Sequence, residues 1–187
     1  MKIFLIVLAA VAALVLLHFA LSFVFSLINS RHNSHVTEPD GFINDQSTKR
    51  GSVKDFKYGF FSMGFNGCEL IAVHNAILAE KGRSVPIGQI AKTVQRAGGM
   101  ALLGLFGTAP QILGRTLRKY GVAAKKIKKT EMTRDGTYIV SYFVSPPISA
   151  IHTVAVTRCG GRFTAYNNGG TFDPEKCRGF ITGYYLE

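Results

Sequence analysis

A cysteine, a histidine and two adjacent asparagines carry the chemistry this sequence can be expected to do. Cys68 follows a small polar turn, Phe65-Asn66-Gly67, and opens the apolar run Glu69-Leu70-Ile71-Ala72-Val73-His74-Asn75-Ala76-Ile77-Leu78. Asn66 and Glu69, three positions apart, read as a capping box that starts a helix at the cysteine. In a first helical turn, free backbone N–H groups and the positive end of the helix dipole favour a thiolate and can hold a developing oxyanion. The competing reading of this segment alone is a buried structural cysteine.

A nucleophilic cysteine needs a base, and the base needs a third group to fix its tautomer. His152 opens a strand running to Thr157, and the turn Cys159-Gly160-Gly161-Arg162 returns the chain antiparallel through Phe163 to Asn168. A two-residue primed turn pairs Cys159 with Arg162 and puts Asn167 on the face that carries His152. A three-residue loop selects Asn168 instead. Either way an amide side chain comes beside the imidazole. His74 competes for the role of base, but it stands six residues after Cys68, about 240° around the same helix, and so points away.

Three helices and a sheet must position these groups. Helical spacing is expected over Cys68–Lys81, Ile87–Ala97 and Pro110–Tyr120, each followed by glycine. Strand patterns follow at Val122–Ile127, Thr137–Val144, Ile151–Thr157, Arg162–Asn167 and Phe180–Leu186. Helices first and an antiparallel sheet afterwards is an α+β order. The apolar, glycine-rich loop Gly98–Thr108 reads either as the wall of a substrate cleft or as packing under the helices.

The N-terminus is of another kind. Ile3 to Ile28 is apolar apart from His18, Ser22 and Ser26, long enough to cross a bilayer, and it lacks a small-residue cleavage site. We read residues 1–28 as an uncleaved signal anchor, with charge placement leaning toward an extracytoplasmic main domain. Residues 29–57 are polar and aperiodic and read as a tether, in which His32 and His35 are solvated. The folded domain is then expected over 58–187.

Formal net charge is +11, which calls for considering an acidic partner. The densest basic run, Lys125-Lys126-Ile127-Lys128-Lys129, is short and reads as a strand edge. No nucleic-acid motif accompanies it, so no nucleic-acid partner is expected. Cys68, Cys159 and Cys177 form no Cys-x-x-Cys pair, which argues against structural zinc. Cys159 and Cys177 are either one disulfide or two thiols. No metal or cofactor is implied.

Gly67-Cys68-Glu69 at the mouth of an apolar helix resembles the Gly-Cys-Glu start of bacterial papain-like cysteine peptidases related to the bacteriocin double-glycine leader peptidases. Gly107-Thr108, and Thr137-Tyr138-Ile139-Val140 before the histidine strand, follow the order in that family, so the likeness covers roughly Tyr58 to Glu187. The resemblance implies a papain-like fold, a helical part packed on a C-terminal antiparallel sheet. It also implies thiol peptidase or acyl-transfer chemistry, with Cys68 as nucleophile, His152 as base and Asn167 or Asn168 orienting it. The family usually places an oxyanion-hole glutamine shortly before the cysteine, and none occurs between Val53 and Cys68. Ser62 has the usual spacing and Asn66 is nearer, so these two are the expected substitutes. The expectation is a membrane-anchored thiol hydrolase acting on peptide or amide bonds. Its rivals are an inactive peptide-binding module of the same fold and an acyltransferase.

Overall fold

The computed structural model describes residues 2–47, 49, 51–144, 151–177 and 179–187. A 32-residue helix, α1 (Lys2–Asn33), leads the chain. A small hairpin, β1 (Lys57–Tyr58) and β2 (Phe61–Ser62), then feeds a one-turn helix, α2 (Met63–Asn66). Helices α3 (Cys68–Lys81), α4 (Ile87–Arg96) and α5 (Leu113–Lys119) follow. Last come five strands, β3 (Ala124–Ile127), β4 (Gly136–Phe143), β5 (Ile151–Cys159), β6 (Arg162–Tyr166) and β7 (Phe180–Leu186). The strands form one antiparallel sheet in the order β3-β7-β4-β5-β6. The expected helix-then-sheet order is present.

Helix α3 is the centre of the molecule. Cys68 through Ile77 are buried on every side, which is what an apolar helix without a polar face requires. It stops at Gly82, whose left-handed φ of 63° lets its N–H close on Leu78 O. One sheet face, through Ile139, Ala155, Tyr184 and Leu186, joins α3 and α4 in the main core. The other face carries a second cluster around Tyr138, Val140, Tyr142, Val154, Val156 and Cys177. The β5–β6 turn has the two-residue form, with Cys159 paired to Arg162 and Gly160 and Gly161 at φ 56° and 81°. The first half of the basic run lies on β3, an edge strand with Lys125 and Lys126 exposed, and Lys128 and Lys129 follow it in a turn.

Residues 29–57 do not behave as a loose tether. Helix α1 continues to Asn33, and Ile43, Val53 and Phe56 are buried in the main core. The Asn75 side chain clasps Ile43 from both sides, accepting from its N–H at 2.9 Å and donating to its C=O at 2.8 Å. Glu38 caps α4, its carboxylate accepting from Ile87 N–H at 2.8 Å and Gly88 N–H at 3.3 Å. A carboxylate at a helix N-terminus meets both unsatisfied donors and the positive end of the dipole. His32 is tied to Asp55 O at 2.9 Å. The segment is polar in composition yet structural, because a few side chains with specific partners suffice to fix an aperiodic strap.

The apolar helix also has a polar stripe. Ser22, Ser26, Asn29 and Asn33, spaced by four, three and four, are its buried residues, and they face the domain. Asn29 donates to Gly59 O at 3.0 Å. Asn33 donates to Lys57 O at 3.0 Å and accepts from Lys57 N–H at 2.8 Å. Every residue from Lys2 to Leu17 is exposed. The helix is long and apolar enough to cross a membrane, and its C-terminal half is built into the fold.

Candidate active site

Cys68 sits where the sequence placed it, in the first turn of α3, but the cap is different. Gly67 is the N-cap residue and no side chain caps the helix. The Asn66 NH2 donates to Tyr58 O and Gly104 O, and its Oδ1 is buried without a partner. Asn66 therefore braces the glycine-rich loop and has no donor to spare for an oxyanion. Ser62 pairs with Lys57 in the β1–β2 hairpin and does not line the cleft beside Cys68. Glu69 turns inward, where its Oε2 accepts from the Cys68 thiol at 3.3 Å.

The thiol lies against the edge of β5. Its second acceptor is Ile151 O at 3.7 Å, and the Thr153 N–H also reaches it, so the sulfur touches the main chain on both sides of His152. This edge is open because β6 begins to pair with β5 only at Ala155. Burial, reinforced by the Glu69 carboxylate, pushes the thiol well above its ordinary range. Burial likewise lifts Glu69 to about 7, against the N–H groups of Glu69 and Thr108 that favour its charged form. The resting group is therefore a neutral thiol beside a carboxyl that titrates near neutrality.

His152 is half-buried, and its Nε2 lies 3.0 Å from Asn167 O. A carbonyl only accepts, so Nε2 carries the proton and Nδ1 is left as the basic nitrogen. Burial lowers the histidine from its usual 6.5 and the Asn167 carbonyl partly offsets this, so the base is neutral at pH 7. Asn167 thus orients His152 through its main chain, from a left-handed φ of 66° that asparagine tolerates. Asn168 is engaged elsewhere, accepting from Tyr142 O–H at 3.1 Å and donating to Thr171 O. Among the described residues no hydrogen bond joins the thiol to the imidazole. His74 points away, between Val85 O and Gly41 O.

Gln46 is the residue that sequence reasoning missed. Its carboxamide bridges the strap to the site: one terminal atom is 3.0 Å from Asn167 Nδ2, and the other is 3.2 Å from both Gly67 N and Cys68 N. Two N–H groups facing one atom assign the carboxamide oxygen to that place, which turns the Gln46 NH2 toward Asn167 and requires the Asn167 amide to turn its oxygen to it. Gly67 N–H already serves Met63 O at 2.8 Å, whereas Cys68 N–H stands in the first turn with no helical acceptor. An oxygen held there occupies the position a substrate oxyanion would take. This glutamine stands 22 positions before Cys68, inside the segment read as a tether. No periodicity or local spacing signals such a contact.

The sulfur opens into a cleft of about 260 Å³ lined by Phe65, Leu105, Phe106, Phe143 and Ile151, with Asn66, Glu69 and Gly107. The glycine-rich loop is therefore a cleft wall. Cys159 and Cys177 are separate thiols, the first exposed and the second buried. Among the described residues no group of three or more His, Cys, Asp or Glu side chains is placed to hold a metal ion. No protein-family model matches this sequence, and no curated protein matches it as a relative.

Proposed function

We propose that the protein is a membrane-anchored, papain-like thiol hydrolase acting on peptide or amide bonds at the Cys68 cleft. The observation that carries this reading is the convergence of the α3 mouth, the β5 edge and the strap. Cys68 touches the main chain flanking His152, and a carboxamide oxygen rests on its N–H. The Cys68 Sγ attacks the substrate carbonyl carbon while His152 Nδ1 takes the thiol proton. The Nε2–H bond to Asn167 O holds the imidazole and stabilises the imidazolium that forms. Cys68 N–H binds the oxyanion, with Gln46 turned to present its NH2. The intermediate collapses to a thioester as His152 returns the proton to the leaving amine, and water then releases the acid.

Because the resting thiol is protonated, His152 must act during attack rather than in a standing ion pair. One observation favours a second reading, a peptide-holding module without turnover: the thiol bonds Glu69 and Ile151 O, not the imidazole. The test is to offer the full-length protein, in detergent, a set of peptidyl-coumarin amides and to follow both coumarin and protein mass. Turnover through a hydroxylamine-labile adduct on Cys68 is expected. Peptide retention with neither coumarin nor adduct would replace the hydrolase by the binding module.

A further inference from the structure

The length of α1 and the place where the domain grips it do not fit a domain held clear of a membrane. Contact with the domain begins at His18, whose Nε2 lies 3.4 Å from Gly98 O. Phe19 fills the space that a Cβ on Gly98 would take, and Phe25 meets Phe60 with ring centroids 4.4 Å apart. The helix ahead of His18 is about 24 Å long at ~1.5 Å per residue, whereas a hydrocarbon core is about 30 Å thick. The span must continue past the point where the domain attaches. On the helix's outer side it does so, since Phe23, Val24, Leu27 and Ile28 all remain exposed.

The part of the domain at that depth carries a cluster of exposed apolar side chains. The turn Ala101–Gly104 packs on α1, and around it Phe60, Leu102 and Phe106 are each 66% exposed and Leu105 is 46% exposed. Leu102 and Leu103 hold left-handed φ values of 44° and 55°, unusual for leucine; Leu103 is packed on the core while Leu102 faces outward. Exposed apolar patches of this kind mark contact surfaces. Here the helix alongside fixes what the patch meets.

We propose that Phe60, Leu102, Leu105 and Phe106 insert into the lipid interface beside α1, as a second membrane contact that seats the domain on the bilayer. The occupant is the boundary between headgroups and acyl chains, where apolar side chains settle about 5–10 Å deep. Leu105 and Phe106 also line the Cys68 cleft, so the cleft opens at the lipid surface and takes chains lying on or emerging from it. The proposal rests on α1 spanning a bilayer and is independent of whether Cys68 turns substrate over.

The protein has no tryptophan, so a single introduced one reports its own surroundings. Full-length Leu102→Trp and Phe106→Trp would be reconstituted in phosphatidylcholine vesicles with and without brominated acyl chains. Phe23→Trp on α1 and Phe163→Trp on the far sheet serve as references. The expected result is quenching at Leu102→Trp and Phe106→Trp of at least about half that at Phe23→Trp, with Phe163→Trp unchanged. Quenching at Phe23→Trp alone would overturn the seat, leaving the patch to a second copy or another partner. Equal quenching at Phe163→Trp would overturn it too. No quenching at Phe23→Trp would remove the span, and the seat with it.

Discussion

At the scale of single residues, the site is a set of main-chain positions held by side chains. Gln46 is the sharpest case. Gln46→Ala should slow acylation of Cys68 by a peptidyl ester about 100-fold, the usual cost of one oxyanion donor, while leaving alkylation of Cys68 by iodoacetamide within about threefold. Equal losses in both would make Gln46 a structural prop. Asn168→Ala, by contrast, should leave acylation within about threefold, because the carbonyl of Asn167 orients His152. Glu69 sets a stability profile. Folded, it keeps its proton up to about pH 7, whereas the unfolded chain releases it near 4.5, so the folded state binds the extra proton between these values. Stability must then fall as pH rises through that window, by roughly 3 kcal/mol at most. Glu69→Gln should flatten the fall in thermal unfolding scans from pH 5 to 8; an unchanged slope would mean the carboxyl ionises freely in the fold.

At the scale of elements, the strap decides more than its composition suggests. Glu38→Ala removes the only side-chain acceptors bonded to the first two N–H groups of α4 among the described residues. It should cost about 1–2 kcal/mol in urea unfolding, against a few tenths for an exposed carboxylate elsewhere. This is also where the sequence was least legible. Helix α3 began and ended at the expected residues, and the five strands fell within a few residues of their patterns, because periodicity and glycine stops are local signals. The β5–β6 turn was legible for the same reason, Gly160-Gly161 admitting a primed turn. Ile43, Val53 and Phe56 follow no helix or strand period and are buried in the core shared with α3 and α4, and Glu38 caps a helix 49 positions away. Asn66 failed as oxyanion donor because Tyr58 O and Gly104 O, remote in the chain, claim its amide.

At the scale of the whole molecule, the α1 helix, strap and domain are one packed unit. The polar stripe of α1 bonds the β1–β2 hairpin, the strap caps α4 and reaches Cys68, and β5 lays the main chain flanking His152 against the thiol. A helix long and apolar enough to cross a membrane is thereby tied to a cleft through hydrogen bonds between side chains and main chain, not through a loose linker. The central claim is that Cys68 and His152 act together although the resting thiol is bonded elsewhere. It is tested most directly by the rate at which a peptide vinyl sulfone modifies Cys68 at pH 7.5, read by peptide mass mapping, in the wild type and in His152→Ala. The account predicts that Cys68 reacts ahead of the exposed Cys159 and that the substitution slows it about 100-fold, the low end of general-base assistance. Equal rates in the two proteins, with Cys68 no faster than Cys159, would contradict it.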